Sequence, residues 1–105
     1  MSHRVNRNIF TNALTGTGTE ITPPNDAQNH AIGVQWGAGA TQGVVVIEAG
    51  PYKGYTGTWV NLTTFNWAAA NTFDLWRGQG PFDALRARIT TTVDGAGVTV
   101  NYSAN

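Results

Sequence analysis

Apolar and polar residues alternate most regularly near the end of the chain, between residues 86 and 103. Such alternation is typical of strands that bury one face, and it continues on both sides of Asp94-Gly95. An Asp-Gly pair suits a two-residue turn, because both central positions of that turn need positive φ. The pattern therefore predicts a closing β-hairpin in which Ile89 pairs with Val100.

Other strand-like segments follow one another at short spacing from residue 29 onward, separated by Gly-rich turns. The predicted strands are residues 30–36, 44–49, 56–62 and 73–77. Residues 67–70 could form a single helical turn, but no segment keeps a helical period over three turns. About six strands without crossover helices predict an all-β fold, an antiparallel β-sandwich with a jelly-roll-like arrangement.

The first part of the chain differs in composition from the rest. Residues 1–24 are rich in Thr and Gly and end in Pro23-Pro24, which favours an extended path over regular pairing. We therefore predict an extended N-terminal arm over residues 1–24, with one short strand near its middle, followed by a β-sandwich domain over residues 25–105. A frayed terminus is the alternative interpretation.

The charge content narrows the possible functions. Six basic and six acidic residues cancel, and charged residues make up 11% of the chain, against about 25% in ordinary domains. A nucleic-acid partner is not expected, because neutralising phosphates requires clustered Lys and Arg. Neither a signal peptide nor a membrane segment is expected, since no apolar run has the necessary length. The absence of cysteine excludes disulfides and thiol chemistry.

The residues that could carry catalysis are few and scattered. His3 and His30 are the only histidines, neither has a second ligand at metal-like spacing, and the two serines lie near the chain ends. Glu48 lies on an otherwise apolar strand and is the candidate for a buried or interfacial partner of Arg86 or Arg88. We therefore predict no catalytic residues, no metal ligands, no cofactor and no enzymatic activity.

The aromatic residues are the better candidates for a binding surface. Trp36, Trp59 and Trp76 fall within predicted strands, where core packing is expected. Tyrosine and tryptophan residues in turns would instead mark contact with a partner or with a sugar. Together with the arginines and the apolar pair of the arm, they give the candidate partner-contact residues Arg4, Arg7, Ile9, Phe10, Tyr52, Tyr55 and Trp67.

Three stretches of the chain resemble small β-sandwich virion proteins of tailed bacteriophages, the capsid decoration or cement proteins. These stretches are GVVVIEAG, YTGTWVNL and GPFDALRARITTTVDGAGVTVNY, and the resemblance covers residues 30–103. It implies a structural protein that binds the outer capsid surface and stabilises the shell. The implied partners are the major capsid protein and further copies of the chain, as a homotrimer.

The resemblance also implies a location and a use for the arm. The protein would be made in the host cytoplasm without a signal peptide and would reside on the capsid surface of the virion. An arm with Arg4 and Arg7 would suit an acidic capsid surface. Two alternatives stay open: another virion protein of the tail, neck or fibre, and a carbohydrate-binding β-sandwich module in which Tyr52, Tyr55 or Trp67 lines an exposed groove.

Overall fold

A computed structural model describes residues 5–70 and 72–105 of the protein and contains eight β-strands. They are β1 (Val5–Ala13), β2 (Gly16–Thr17), β3 (Asn29–Trp36), β4 (Val44–Gly50), β5 (Val60–Asn66), β6 (Phe73–Gln79), β7 (Ala84–Thr91) and β8 (Val98–Ala104). No helix occurs among the described residues. The all-β prediction is confirmed, and residues 67–70 do not form the helical turn that the sequence allowed.

The strands form two four-stranded antiparallel sheets. Sheet A has the order β1-β8-β3-β6 and sheet B the order β2-β7-β4-β5. The first strand pairs with the last, the second with the seventh, the third with the sixth and the fourth with the fifth. Such nesting corresponds to one long hairpin folded over into two layers, which is the topology of a jelly roll.

The core lies between the two sheets and follows from the period-two pattern of the central strands. Ile32 and Val34 of β3 and Val45 and Ile47 of β4 are completely buried, and their neighbours in sequence point to the outer faces. Each such side chain contributes about 1.5–3 kcal/mol by leaving water. The two outer faces are thereby left to polar side chains, loops and partners.

Residues 5–21 belong to the sandwich, which differs from the separate arm predicted over residues 1–24. β1 forms one edge of sheet A, β2 pairs with β7 in sheet B, and Ile21 forms a bridge to Leu85. Ile9 and Phe10 are buried in the core at 4% and 8% exposure. Their side chains are therefore not available to a partner.

The irregularity of β1 explains why this strand could not be recognised from the sequence. The pairing of β1 with β8 shifts register between Asn8 and Phe10 and again between Phe10 and Ala13. These shifts let two consecutive side chains, Ile9 and Phe10, point into the core, so the alternation that identifies a strand is lost. Residues 1–4, which include the candidate Arg4, lie outside the described residues.

The predicted closing hairpin is wrong, because β7 and β8 lie in different sheets. Ile89 pairs with Val45 of β4, whereas Val100 pairs with Val34 of β3. Alternation reports only that each strand buries one face, and two strands that face each other across a core alternate just as two hydrogen-bonded neighbours do. Residues 92–97 therefore form an arch from one sheet to the other.

The Asp-Gly pair serves this arch by joining it to the loop between β3 and β4. The Asp94 carboxylate accepts hydrogen bonds from the backbone N–H of Thr41 (2.5 Å) and Gln42 (3.2 Å). It also accepts one from the Thr41 hydroxyl. The Thr41 hydrogen bonds, first from the hydroxyl and then from the backbone, hold the pKa of Asp94 below its ordinary value. Gly95 has a φ of +62° and contacts the backbone of Gly39 so closely that a Cβ atom would overlap with it.

We expect Asp94→Ala to lower the melting temperature, because it removes every acceptor of these three hydrogen bonds. A lowered folded pKa contributes stability above the unfolded value, 3.8, that is lost as the pH falls through the folded value. The difference from the wild type should thus shrink in acid. Thermal unfolding at neutral pH and at about pH 3 measures both effects. Asp83→Ala, at an exposed aspartate without a side-chain hydrogen bond among the described residues, is the control; equal melting temperatures for the two variants would contradict the assignment.

Candidate functional site

A buried ion pair lies on the outer face of sheet B. Glu48 alternates with the core residues of β4, so its side chain points away from the core, yet it is only 5% exposed. The Arg86 Nε atom donates to Glu48 Oε1 at 2.8 Å, and the Arg88 NH2 group donates to Glu48 Oε2 at 3.0 Å. The predicted partnership of Glu48 with Arg86 or Arg88 is confirmed, and both arginines take part.

The two arginines determine the charge state of this carboxyl. Burial by itself would raise the pKa of Glu48, but the hydrogen bonds from Arg88 and Arg86, together with their positive charges, outweigh burial and lower the pKa below its ordinary value. The same hydrogen bond from Arg88 raises the pKa of that guanidinium. Glu48 is therefore a fixed negative charge at neutral pH that orients both arginines.

Arg86 in turn covers an indole ring. Its guanidinium carbon lies 4.2 Å from the centroid of the Trp59 ring, a cation–π contact. The ring lies flat over Gly50, where a Cβ atom would be 2.8 Å from Trp59 Cδ2, so only glycine leaves the necessary space. Trp59 is 5% exposed, as expected for a packed residue, but it packs on the outer face of sheet B and not in the core predicted from a strand over residues 56–62.

Two tyrosines extend this stack to the surface. The Tyr55 ring lies 6.4 Å from Trp59, and the Tyr52 ring lies 5.4 Å from Tyr55 at an interplanar angle of 79°. The Trp59 Nε1–H group donates to the Tyr55 backbone oxygen at 2.9 Å. Tyr55 is half-buried, whereas Tyr52 at the tip is 58% exposed. We call the series Tyr52, Tyr55, Trp59, Arg86 and Glu48 the aromatic ladder.

The loop that carries the three aromatic residues of the ladder, residues 51–59, is also held by a second set of contacts. The Gly54 N–H group, at a φ of +90°, donates to Glu20 Oε1 at 2.5 Å. The other oxygen of that carboxylate lies 3.9 Å from Arg86 NH1. The same loop is held from one side by the ladder and from the other by Glu20, so it presents Tyr52 in a fixed position.

Such an arrangement is suited to binding a partner. A tyrosine combines a large apolar ring with a hydroxyl that can donate and accept, and it loses little conformational entropy when it is already held in place. Tyrosine, tryptophan and arginine are also the residues that carry most of the binding energy in protein interfaces. Tyr52 supplies exposed contact area, and the residues beneath it supply rigidity.

The remaining partner-contact candidates do not join this site. Arg7 is exposed on β1, where its guanidinium donates to the Asn6 backbone oxygen. Trp67 is half-buried at the opposite end of the sandwich, where it lines a cavity of about 250 Å³ together with Trp36. Of the six candidates that lie among the described residues, only Tyr52 and Tyr55 belong to the aromatic ladder.

His30 has a structural role. Its Nε2–H group donates to the Gly80 backbone oxygen at 2.8 Å, since a carbonyl can only accept, and its Nδ1 atom therefore accepts from the Tyr102 hydroxyl at 2.7 Å. The histidine is 3% exposed, and burial raises the pKa of Tyr102 to about 12. The pair satisfies two polar side chains inside an otherwise apolar core.

The described residues, 5–70 and 72–105, also bear on a metal site and on a membrane-spanning segment. Within these residues no group of three or more His, Cys, Asp or Glu side chains is arranged to hold a metal ion. The same part of the chain has no helix of sufficient length and apolarity to cross a membrane.

The sequence identified the tip of the ladder and the partnership of Glu48 with the arginines, but not the packing of Trp59 against Arg86 and Gly50. Tyr52 and Tyr55 are correctly placed in a turn, whereas the strand predicted over residues 56–62 begins only at Val60. The available signal was the spacing of Gly50, Gly54 and Gly57 among aromatic residues. Gly57 contacts the Tyr55 ring so closely that no Cβ atom fits there.

Comparison of the chain with protein-family models, with curated proteins and with solved structures gave no match.

We expect Glu48→Gln to lower the free energy of unfolding by about 2 kcal/mol at neutral pH. Breaking a fully buried pair costs roughly 3–5 kcal/mol, and the cost is smaller here because the Arg88 side chain is 41% exposed. The contribution of Glu48 is present above the ordinary pKa of 4.5 and is lost as the pH falls through the lowered folded value, so the difference should shrink in acid. Urea unfolding across this pH range measures it.

Asp26→Asn removes a negative charge from an exposed turn and is the matched control for Glu48→Gln. If the free energy of unfolding falls by the same amount in both variants, the ion pair does not stabilise sheet B as described.

Proposed function

We propose that the chain is a structural virion protein, a capsid decoration protein that binds the outer surface of the capsid and stabilises the shell. The observation that carries the proposal is the exposed Tyr52 side chain, which the aromatic ladder connects to the buried Glu48 carboxylate. The contact surface is the loop of residues 51–59, and the partner is the major capsid protein.

The position of the resembling stretches supports this proposal. GVVVIEAG contains β4, YTGTWVNL leads into β5, and LRARIT lies in β7, and these strands are neighbours in sheet B. The same stretches supply Glu48, Trp59 and Arg86, which are the supports of the ladder. The features that carry the resemblance and those that hold Tyr52 in place are therefore the same part of the fold.

The architecture is also suited to the task. Jelly rolls serve as capsid and lectin domains, where a rigid double sheet presents loops at its ends. Because a decoration protein binds the assembled shell and not its dissociated subunits, its binding free energy adds to the stability of the shell by mass action. The trimer that the resemblance implies stays a prediction, which the solution mass of the protein tests.

We expect Tyr52→Ala to weaken binding to undecorated capsid shells by about 30-fold, which corresponds to the roughly 2 kcal/mol typical of an interface hot spot. The shells are assembled from the major capsid protein encoded in the same genome, and co-sedimentation over a concentration series gives the affinity. The fold should be unaffected, because the Tyr52 side chain is largely in solvent.

Leu14→Ala, at an exposed leucine on the opposite end of the sandwich, is the control for Tyr52→Ala and should bind like the wild type. If the wild-type protein does not sediment with the shells, the decoration proposal fails. If it does and Tyr52→Ala binds equally well, the contact surface is not this loop.

A carbohydrate-binding module is the second candidate, favoured by the cavity of about 250 Å³ beside Trp67. A sugar that stacked there would change the emission of the indole ring. The carbohydrate-binding hypothesis predicts that a glycan titration shifts tryptophan fluorescence in the wild type and not in Trp67→Leu. Saturable binding that Tyr52→Ala abolishes and Trp67→Leu preserves would place the sugar on the aromatic ladder instead.

A further inference from the structure

The four edge strands of the sandwich differ in how well they could pair with another strand. β1 is interrupted by two register shifts, β2 has two residues, and the pairing of β5 with β4 shifts between Ile47 and Glu48. β6 pairs with β3 over seven residues without any shift. Natural proteins interrupt or shorten edge strands to prevent unwanted pairing, and among the described edges β6 has the longest uninterrupted pairing, with the charges of Asp74 and Arg77 as its only protection.

The side chains on the outer face of β6 are unusually apolar for an edge. Phe73 is 55% exposed and Leu75 is 41% exposed, and Arg77 follows them on the same face. The Phe73 ring lies across Gly33 of β3, where a Cβ atom would be 2.9 Å from the ring. The edge therefore has exposed apolar side chains beside its backbone, and Leu75 and Arg77 also line a cavity of about 570 Å³ that extends to Ala31 and Ser103.

The hydrogen bonds at the two ends of β6 show which backbone groups face outward. The Thr72 oxygen accepts from Trp36 N–H, and Gly80 N–H donates to the Gln28 oxygen, so even-numbered residues face β3. Backbone groups alternate along an antiparallel strand. Phe73, Leu75 and Arg77 therefore direct their N–H and C=O groups toward the free edge, and no strand among residues 5–70 and 72–105 pairs with them.

We propose that β6 pairs antiparallel with β6 of a second copy of this chain, about a twofold axis at Leu75. The two copies of sheet A would then form one continuous eight-stranded sheet. This inference goes beyond the proposed function, because it concerns a different surface from the loop of residues 51–59 and does not depend on a capsid.

The side chains of β6 select this register. A twofold axis at Asp74 or at Arg77 would set two like charges directly opposite each other, which destabilises a pair of strands. An axis at Trp76 would place Leu75 opposite the charged Arg77 of the partner. An axis at Leu75 places the two leucines opposite each other and each Phe73 ring opposite the guanidinium of Arg77, a favourable cation–π arrangement.

The interactions in this register are sufficient for a specific but modest association. Three hydrogen-bonded residue pairs would exchange about six backbone hydrogen bonds. One edge strand with its flanking side chains buries less surface than the roughly 800 Å² per partner of a standard interface. We therefore expect a dimer that dissociates on dilution. Its mass differs from that of the trimer implied by the resemblance.

Light scattering over a dilution series tests the pairing. The expected result for the wild type is twice the chain mass of 11.2 kDa at high concentration. Leu75→Glu and Leu75→Lys should each be monomeric at the same concentration, because like charges meet at the axis. An equimolar mixture of the two variants should restore the dimer, since opposite charges then face each other. Leu14→Glu, at a leucine that is 46% exposed and far from β6, should remain dimeric.

Cross-linking provides a second measurement on the same contact. The chain has no cysteine, and residues in a hydrogen-bonded antiparallel pair have Cα atoms about 5.5 Å apart, which suits a disulfide. Leu75→Cys should oxidise to a covalent dimer and Leu14→Cys should not. A trimeric wild type, a monomer at every concentration, or a dimer that Leu75→Glu leaves intact would overturn the proposal; a monomer would leave the edge to a strand of a different protein.

Discussion

The ion pair of Glu48 with two arginines is the interaction on which the outer face of sheet B depends. A carboxylate that is nearly excluded from water is tolerated because Arg86 and Arg88 donate to both of its oxygens. The same geometry fixes Arg86 over Trp59, and Trp59 in turn supports Tyr55. A charge buried beside two strands thus helps to determine where an exposed tyrosine on the adjoining loop is held.

The two faces of the sandwich present different chemistry as a result. The outer face of sheet B is covered by its own loop and by balanced charges, and it offers one exposed ring at the tip. The outer face of sheet A carries few charges, with its exposed apolar side chains, Phe73 and Leu75, on the edge strand β6. The proposed capsid contact at Tyr52 and the proposed pairing of β6 would therefore use separate surfaces of the sandwich.

The sequence predicted those features that depend on local pattern. Strands β3 and β4 and the Glu48 partnership follow from the apolar pattern of residues 30–36 and 44–49 and from one charge on an apolar strand. Which distant strands pair with each other could not be predicted from the local sequence pattern. Alternation around Asp94 is the same for a hairpin as for an arch between sheets, and the bulges of β1 removed the alternation that would have identified it.

The order of strands in sheet A has a consequence for the time course of folding. β8 lies between β1 and β3, so the sheet is in two separate pieces until the last strand of the sandwich has been synthesised. Until then β1 lacks its hydrogen-bonded neighbour in the sheet and one edge of β3 stays unpaired. Contacts between residues so distant in sequence form slowly, and unpaired strand edges favour aggregation, so completion of sheet A waits for β8.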